Sequence, residues 1–490
     1  MEGSKPTITR RRFLRRAGVG ALGLAASGGI TAAVVEAVAG RQPRPPVVPR
    51  WRSRPDLRIP ALTVTRAESA ASHDPIFIAP YNVVGAQAGA VIADASGEPI
   101  WENPLAGKVT TNFRVQRYRG SPVLTWWEGS IELGHGVGEY VIADSSYRTV
   151  RRVQAGNRLR GDLHEFVITS RDTALLTSYV VTKADLSSVG GSRDGTIQDA
   201  VFQEIDLASG EVLIEWHSLG SVPLNESYAA VTVDWDFFHI NSVDLDWDGN
   251  LLVSSRSMHT VYKLDRRSGA ILWRLGGKRS DFAMGGGTHF AWQHDVRRRA
   301  DGSVTIFDNG ATPAVERRSR ALILALDEQA MKASLIAEYA HAKVLAGSQG
   351  SVQLHRDGNV FVGWGEVPRV TEFDHRGRIV FDALLGSRYQ SYRAFRLPWT
   401  GMPSEAPAIA LGGPSEQPTV YASWNGATEV ARWQLLAGAR SGALRPVSSA
   451  PARGFETALR SHGRGPRFAV RALDRHGLVL GSSGEAAVAA

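Results

Sequence analysis

The sequence predicts an all-β chain: a six-bladed β-propeller followed by a small C-terminal segment resembling a β-sandwich of the fibronectin type. Three observations carry this. A strand-turn-strand module recurs, with an Asp at the first strand's end, a Gly closing the turn and an aromatic residue ending the second strand. Its copies run from Asp94 through Gly97 to Trp101, Asp206 through Gly210 to Trp216, Asp265 through Gly269 to Trp273, and Asp374 through Gly377 to Phe381. A second turn type alternates with the first, at Asp246-Trp-Asp-Gly-Asn250, Asp301-Gly-Ser303 and Arg356-Asp-Gly-Asn359, each leading into an apolar run. The composition agrees, because 51 Gly, 23 Pro and 13 Trp in 490 residues suit many short strands and tight turns better than helices.

Alternation of the two turns gives four antiparallel strands per cycle, the periodicity of a propeller. Blades are expected near 74–105, 110–157, 160–220, 236–277, 292–341 and 348–388. Residues 182–200 and 276–291 read as longer insertions over one face. Before the blades, Thr9-Arg-Arg-Arg-Phe-Leu14 precedes an apolar, Ala- and Gly-rich run to Val35, and Ala37-Val-Ala39 offers a small-x-small cleavage site. Residues 1–39 therefore read as a twin-arginine signal peptide, or as a membrane anchor if the leader is not cleaved. Residues 40–70, rich in Pro and Arg, read as a spacer or surface arm, and 71–397 as the propeller. A Pro-rich linker is expected over 398–418, and the small β-sandwich-like domain over 419–490.

Several classes are excluded. Residues 1–39 hold six basic and two acidic residues, so the formal charge of +8 leaves only +4 on the remainder, which is no nucleic-acid footprint. With no cysteine, disulfides, thiolate nucleophiles and thiolate metal sites are absent. No Walker loop, Gly-x-Ser-x-Gly or His-Glu-x-x-His occurs. The protein is read as exported, extracellular or associated with the cell envelope, with the twin-arginine translocation machinery as a partner.

The chemistry-bearing residues sit where strands begin. His164, His239 and His294 precede a turn Asp by eight, nine and seven positions in different blades. The innermost strands of a propeller start at the axis, so these imidazoles are placed to meet at one mouth. Arg256, after Val253-Ser-Ser255, is a fourth member. Asn241, Ser242 and Asp295 are candidate partners that orient the imidazoles. Trp126, Trp127, Trp235, Phe237, Phe238, Trp292 and Trp364 can line an aromatic pocket or form interblade core. Three imidazoles can hold a transition metal, or one can attack an electrophile while the others and the arginine stabilise anionic oxygens. Spacing leaves both open.

The strings Asp162-Leu-His-Glu-Phe166, Phe238-His-Ile-Asn-Ser242, Ser254-Ser-Arg256, Ile271-Leu-Trp-Arg-Leu-Gly-Gly277, Gln293-His-Asp-Val296, Phe307-Asp-Asn-Gly310 and Ser423-Trp-Asn-Gly-Ala-Thr-Glu429, in this order, resemble the arylsulfotransferase family, in particular its exported actinobacterial and fungal branch. The resemblance covers about residues 70–435. It implies an enzyme that moves a sulfuryl group from a phenolic sulfate ester to a phenolic acceptor without an adenylated sulfate donor and without a cofactor or metal. His294 would become a sulfohistidine, and His164, His239 and Arg256 would hold the sulfuryl oxygens. One of the two histidines would move the phenolic proton. The well-studied bacterial enzymes carry an additional N-terminal β-domain and a cysteine pair, neither of which is visible here. The competing readings are lyase, hydrolase or cyclase chemistry on the same histidines, or a non-catalytic ligand-binding propeller.

Overall fold

A computed structural model describes residues 48–81, 87–342, 344–386, 389–462 and 465–488. The twin-arginine leader and residues 40–47 of the spacer lie outside the described residues. Within them the chain is all-β, with only two short 3-10 turns, Ser187–Val189 and Leu224–Glu226, and no α-helix. No described helix is long and apolar enough to cross a membrane.

The strands form small, almost entirely antiparallel sheets that follow one another along the chain in a propeller-like succession. The first contains Ile76–Ile78, Gly89–Ala93 and Pro99–Pro104, and the second Val109–Tyr118, Ser121–Glu132, His135–Ala143 and Thr149–Val153. The third contains Phe166–Ile168, Thr173–Ala184, Gly195–Asp206 and Val212–His217, and the fourth Ile240–Leu245, Leu251–Ser255, Thr260–Leu264 and Ile271–Gly276. His294–Arg298, Val304–Asp308, Arg320–Asp327 and Lys332–Tyr339 make the fifth. Ser351–Leu354, Val360–Gly363, Arg369–Phe373 and Ile379–Leu384 make the sixth.

Three pairings have no counterpart in the sequence pattern. Phe395–Arg396 returns to pair with Ile76–Ile78 of the first sheet, joining chain positions more than three hundred residues apart. Thr63–Ala67 adds an edge strand to the sixth sheet, and Ala283–Met284 pairs in parallel with Lys332–Tyr339. Of residues 182–200, expected as an insertion, 182–184 and 195–200 continue a hairpin whose register runs unbroken from Thr173↔Asp206 to Ala184↔Gly195, where β-branched residues suit the extended ladder, and 185–194 form the loop at its tip.

The recurring turns work as their chemistry requires. The Asp94 carboxylate accepts the Ser96 and Glu98 backbone N–H groups while Gly97 takes φ 88°, which lacks the Cβ penalty only in glycine. Asp206 and Asp265 bind the backbone N–H of Ser209 and Ser268 in the same way.

Each neighbouring pair of sheets encloses its own apolar cluster. Phe77, Trp101 and Phe113 lie between the first and second sheets, Trp127, Tyr140 and Phe166 between the second and third, and Phe202, Phe238 and Tyr262 between the third and fourth. Val261, Trp273 and Ile306 continue the series, then Phe307, Val362 and Trp364, then Phe361, Phe381 and Ile76 between the sixth and first. Trp126, Trp127, Trp235, Phe237, Phe238 and Trp364 are accordingly core residues, and of the aromatics considered for a pocket only Trp292 stands outside these clusters. Beyond residue 397, two further sheets share a separate core around Trp424, Trp433 and Phe468. Within 398–418, Ala408–Gly412 pairs with Thr419–Ser423.

The six first-strand segments meet around a buried ionic cluster. Arg393, fully buried just before Phe395–Arg396, donates to Asn112 Oδ1 at 2.7 Å, Glu165 Oε1 at 3.0 Å and the Asn241 carbonyl at 2.9 Å, and pairs with Asp295 at 3.2 Å. Arg297 and Arg114 also bind Glu165, at 2.5 and 3.0 Å, and Asp295 accepts the Val352 N–H at 3.0 Å. Burial opposes ionisation of Glu165, but Arg297, Arg393 and Arg114 together hold its pKa down at about 2.

Removing the shared cation in Arg393→Ala is expected to cost about 3 kcal/mol of unfolding free energy, read from the urea midpoint, because Glu165 and Asp295 each lose one buried partner while Arg297 still pairs with both. Since the folded pKa of Glu165 lies below its ordinary 4.5, its stabilisation is complete above that value and drains away as pH falls toward about 2. Acid unfolding followed by far-UV circular dichroism is expected in that window, and Glu165→Gln is expected to flatten the dependence there.

Candidate active site

Three imidazoles reach one point because three first strands begin beside it. His164 lies two residues before Phe166–Ile168, His239 directly before Ile240–Leu245, and His294 opens His294–Arg298. The strands break register between Ile240 and Ser242 and between His294 and Arg297, with His239 and Asp295 at φ 51° and 52°. Such bulges re-aim side chains at a strand end. Ring centroids are 4.9 Å apart for His164 and His239 and 6.4 Å apart for His239 and His294. His164 and His294 are buried, with 3% and 1% of their surface exposed.

Every one of the three rings is held through Nδ1. His164 Nδ1–H donates to Asp162 Oδ2 at 2.6 Å, and that oxygen also accepts the His164 N–H and the Thr177 hydroxyl. His239 Nδ1–H donates to Asp236 Oδ2. His294 Nδ1–H donates to Asn309 Oδ1 at 2.7 Å. The Asn309 amide cannot turn over without loss, since its Nδ2 donates to the carbonyls of Ala346 and Gln349, both at 3.0 Å. His294 is thereby fixed in the tautomer whose lone pair lies on Nε2, which accepts a long 3.2 Å bond from the Gln349 N–H.

Electrostatics sharpen this. Burial, then the Arg256 and His239 charges, push the His294 pKa well below the ordinary imidazole value, so the ring is neutral. Burial also lowers His239 to about 4, against the pull of Asp236. Burial opposes ionisation of Asp162, but His164 and His135 hold it at about 2. Arg256 joins the group through its backbone N–H, which donates to the His239 carbonyl at 2.9 Å. Its guanidinium lies 4.8 Å over the Trp292 ring and donates to the Gly347 carbonyl at 3.0 Å, while its Nε–H is buried with no hydrogen-bond partner among the described residues.

A neutral nitrogen nucleophile, two carboxylate-anchored imidazoles and a guanidinium with an open donor can accept an electrophilic group that carries anionic oxygens. The profile of the family described as arylsulfotransferase (ASST) matches residues 114–386, more than half of the chain and all of this cluster. The chain belongs to the arylsulfotransferase family. No curated protein sequence matches it. Among solved structures, a Bacteroides caccae protein of unknown function is 11% identical over 66% of this chain and 98% of its own, with TM-score 0.41. The β-propeller domain of Myceliophteria thermophila Cps50 is 12% identical over 62% and 96%, with TM-score 0.31. Quinohemoprotein alcohol dehydrogenase from Comamonas testosteroni is 12% identical over 80% and 66%, with TM-score 0.32.

In this member of the arylsulfotransferase family, the three residues expected to orient imidazoles do something else. Asn241 Nδ2 donates to the Gln293 carbonyl at 2.6 Å, Ser242 Oγ accepts the Val296 N–H at 3.1 Å, and Asp295 belongs to the ionic cluster with Arg393 and Arg297. They clamp neighbouring first strands, and the rings are oriented by Asp162, Asp236 and Asn309. Two of these anchors carry a readable signal, an Asp two or three residues before the histidine. His135, whose ring centroid is 5.8 Å from that of His239, comes from a hairpin of the second sheet and has none.

Histidine NMR checks the tautomer. His294 is expected to stay neutral, with its proton on Nδ1, through the range in which an ordinary imidazole titrates, about pH 5.5–7.5. In Asn309→Leu the Trp292 carbonyl, 3.1 Å from Nδ1, and the Gln349 N–H at Nε2 still favour the same tautomer, so the proton is expected to stay on Nδ1 with a changed Nδ1 chemical shift.

Proposed function

We propose that the protein is an aryl sulfotransferase that moves a sulfuryl group from a phenolic sulfate ester to a phenolic acceptor through a sulfohistidine at His294, independently of adenylated sulfate. The observation that carries this reading is the neutral His294 imidazole, locked by Asn309 with its lone pair on Nε2, beside Arg256 with an unpartnered buried Nε–H. The framework is read as a six-bladed propeller closed by Phe395–Arg396, with a small β-sandwich after it. The Arg-Arg-Arg-Phe-Leu leader supports export by the twin-arginine route, to the outside or the cell envelope.

In the first half-reaction His294 Nε2 attacks sulfur, an N–S bond forms and the ester S–O bond breaks. The leaving phenolate takes a proton from His164 or His239. Arg256 and the imidazoles stabilise the sulfuryl oxygens, and the Gln349 N–H turns from Nε2 to an oxygen as the lone pair is used. In the second half the acceptor phenol gives its proton back to the same imidazole, attacks sulfur and releases His294. Burial first, and then the His164 and Arg256 charges, lower the His239 pKa; an arriving sulfate anion offsets those charges and raises it toward a value at which it can protonate a phenolate.

Incubation with a chromogenic aryl sulfate tests the reading. A mass gain of one sulfuryl group on the intact chain, phenol release and ping-pong kinetics are expected, and both mass gain and release vanish in His294→Ala. Arg256→Met is expected to lower kcat/KM by about 10²–10³-fold. Phenol release by His294→Ala at the rate of the unaltered chain overturns the proposal.

A further inference from the structure

His239 also belongs to a second arrangement, whose other imidazole, His135, the proposed sulfuryl transfer does not use. The Asp236 carboxylate accepts from two imidazoles on one oxygen: Oδ2 takes the His239 Nδ1–H and, at 3.1 Å, the His135 Nε2–H. Its other oxygen, Oδ1, is buried and has no hydrogen-bond partner among the described residues. A buried carboxylate oxygen rarely goes unsatisfied, since it costs the full desolvation of that atom. His135 is likewise buried, and its Nδ1 has no partner either. Ligand atoms of His135, Asp236 and His239 all lie within 4.8 Å of one another, and among the described residues they are the one such group of three.

We infer that His135, Asp236 and His239 form a binding site for one divalent transition-metal ion, with Zn2+ as the best-matched ion. Bonds of about 2.0–2.2 Å to two imidazole nitrogens and one carboxylate oxygen place ligands roughly 3 Å apart in a tetrahedron, close to the His135–Asp236 separation, while Asp236 and His239, now in direct hydrogen-bond contact, move apart to admit the ion. Two neutral nitrogens and one carboxylate suit Zn2+ over Ca2+ or Mg2+, which take oxygen ligands. Asp236 and His239 come from the approach to the fourth sheet and His135 from the second, so the ion bridges sheets that are not neighbours. Coordination uses the lone pairs of His239 Nδ1 and His135 Nε2, so the ring proton of each moves to its other nitrogen. His239 then carries its proton on Nε2 and can no longer receive one there. If the proposed sulfuryl transfer holds with His239 as the proton carrier, Zn2+ is therefore an inhibitor; the binding itself does not depend on that reading.

The full chain, stripped with a chelator and dialysed, is titrated with Zn2+ by calorimetry and with Co2+ by visible absorption. One equivalent is expected, with a tetrahedral Co2+ spectrum, and affinity falling at least about tenfold in Asp236→Asn and His135→Gln while near-UV circular dichroism is unchanged. Absence of stoichiometric uptake, or variants that bind as tightly as the unaltered chain, overturns the inference. Should the variants misfold, zinc-edge X-ray absorption of the unaltered chain decides: an imidazole-containing nitrogen and oxygen shell supports the site, and a shell without imidazole overturns it. Phenol release with and without Zn2+ is followed separately. Metal uptake without any phenol release leaves the site standing and removes the transferase reading, and phenol release without metal uptake does the reverse.

Discussion

Arg393 is the constraint on which the remaining structure depends. It lies where the chain returns to the first sheet, is fully buried, and reaches Asn112 of the second sheet, Glu165 before the third, Asn241 of the fourth and Asp295 of the fifth. Asp295 extends the connection to the sixth through the Val352 N–H. A buried guanidinium pays heavily for desolvation unless carboxylates and carbonyls surround it, so each first strand must end at one distance and height from the centre. Apolar clusters between the sheets supply the bulk of the burial, but they tolerate sliding far better than a hydrogen-bonded charge does.

Fixing the strand ends in this way also fixes the chemistry. Glu165 and Asp295, which bind Arg393, are chain neighbours of His164 and His294, and Asn241, whose carbonyl it binds, lies two residues from His239. The backbone that wraps the cation therefore presents the next side chain to the mouth above it. The strand irregularities at Ile240 and at His294 make this possible, because an extra residue lets successive side chains serve both the ionic cluster and the cluster of rings. Asp162, Asp236 and Asn309 then select the tautomer, and the same burial that makes the site costly keeps His294 neutral.

Local features of this architecture were legible in the sequence and distant ones were not. The Asp-to-Gly turns announce where strands pair with their chain neighbours, since turn chemistry is written within four or five residues. His164, His239, His294 and Arg256 were legible as a group because each follows or precedes such a turn at a similar distance, and rotation about a common centre converts equal distance along the chain into proximity. The return of Phe395–Arg396 to Ile76–Ile78 involves no turn and no periodicity, only the need to pair an open edge. His135 enters from the tip of a hairpin, at a position matching none of the other histidines. Asn241, Ser242 and Asp295 adjoin the histidines in sequence yet bind neighbouring strands and the ionic cluster, because proximity in sequence to a histidine does not say which side of a bulged strand a residue faces.

The proposed transfer requires four side chains from three sheets to grasp one anion. A crystal structure with a non-transferable aryl sulfonate or sulfamate tests that directly. The sulfur is expected in line with His294 Nε2, with sulfonyl oxygens accepting from Arg256 Nε–H and from the Nε2–H of His164 or His239 in its protonated form. A ligand bound elsewhere, or bound here with its aromatic end toward His294 and the anion in solvent, would contradict the account.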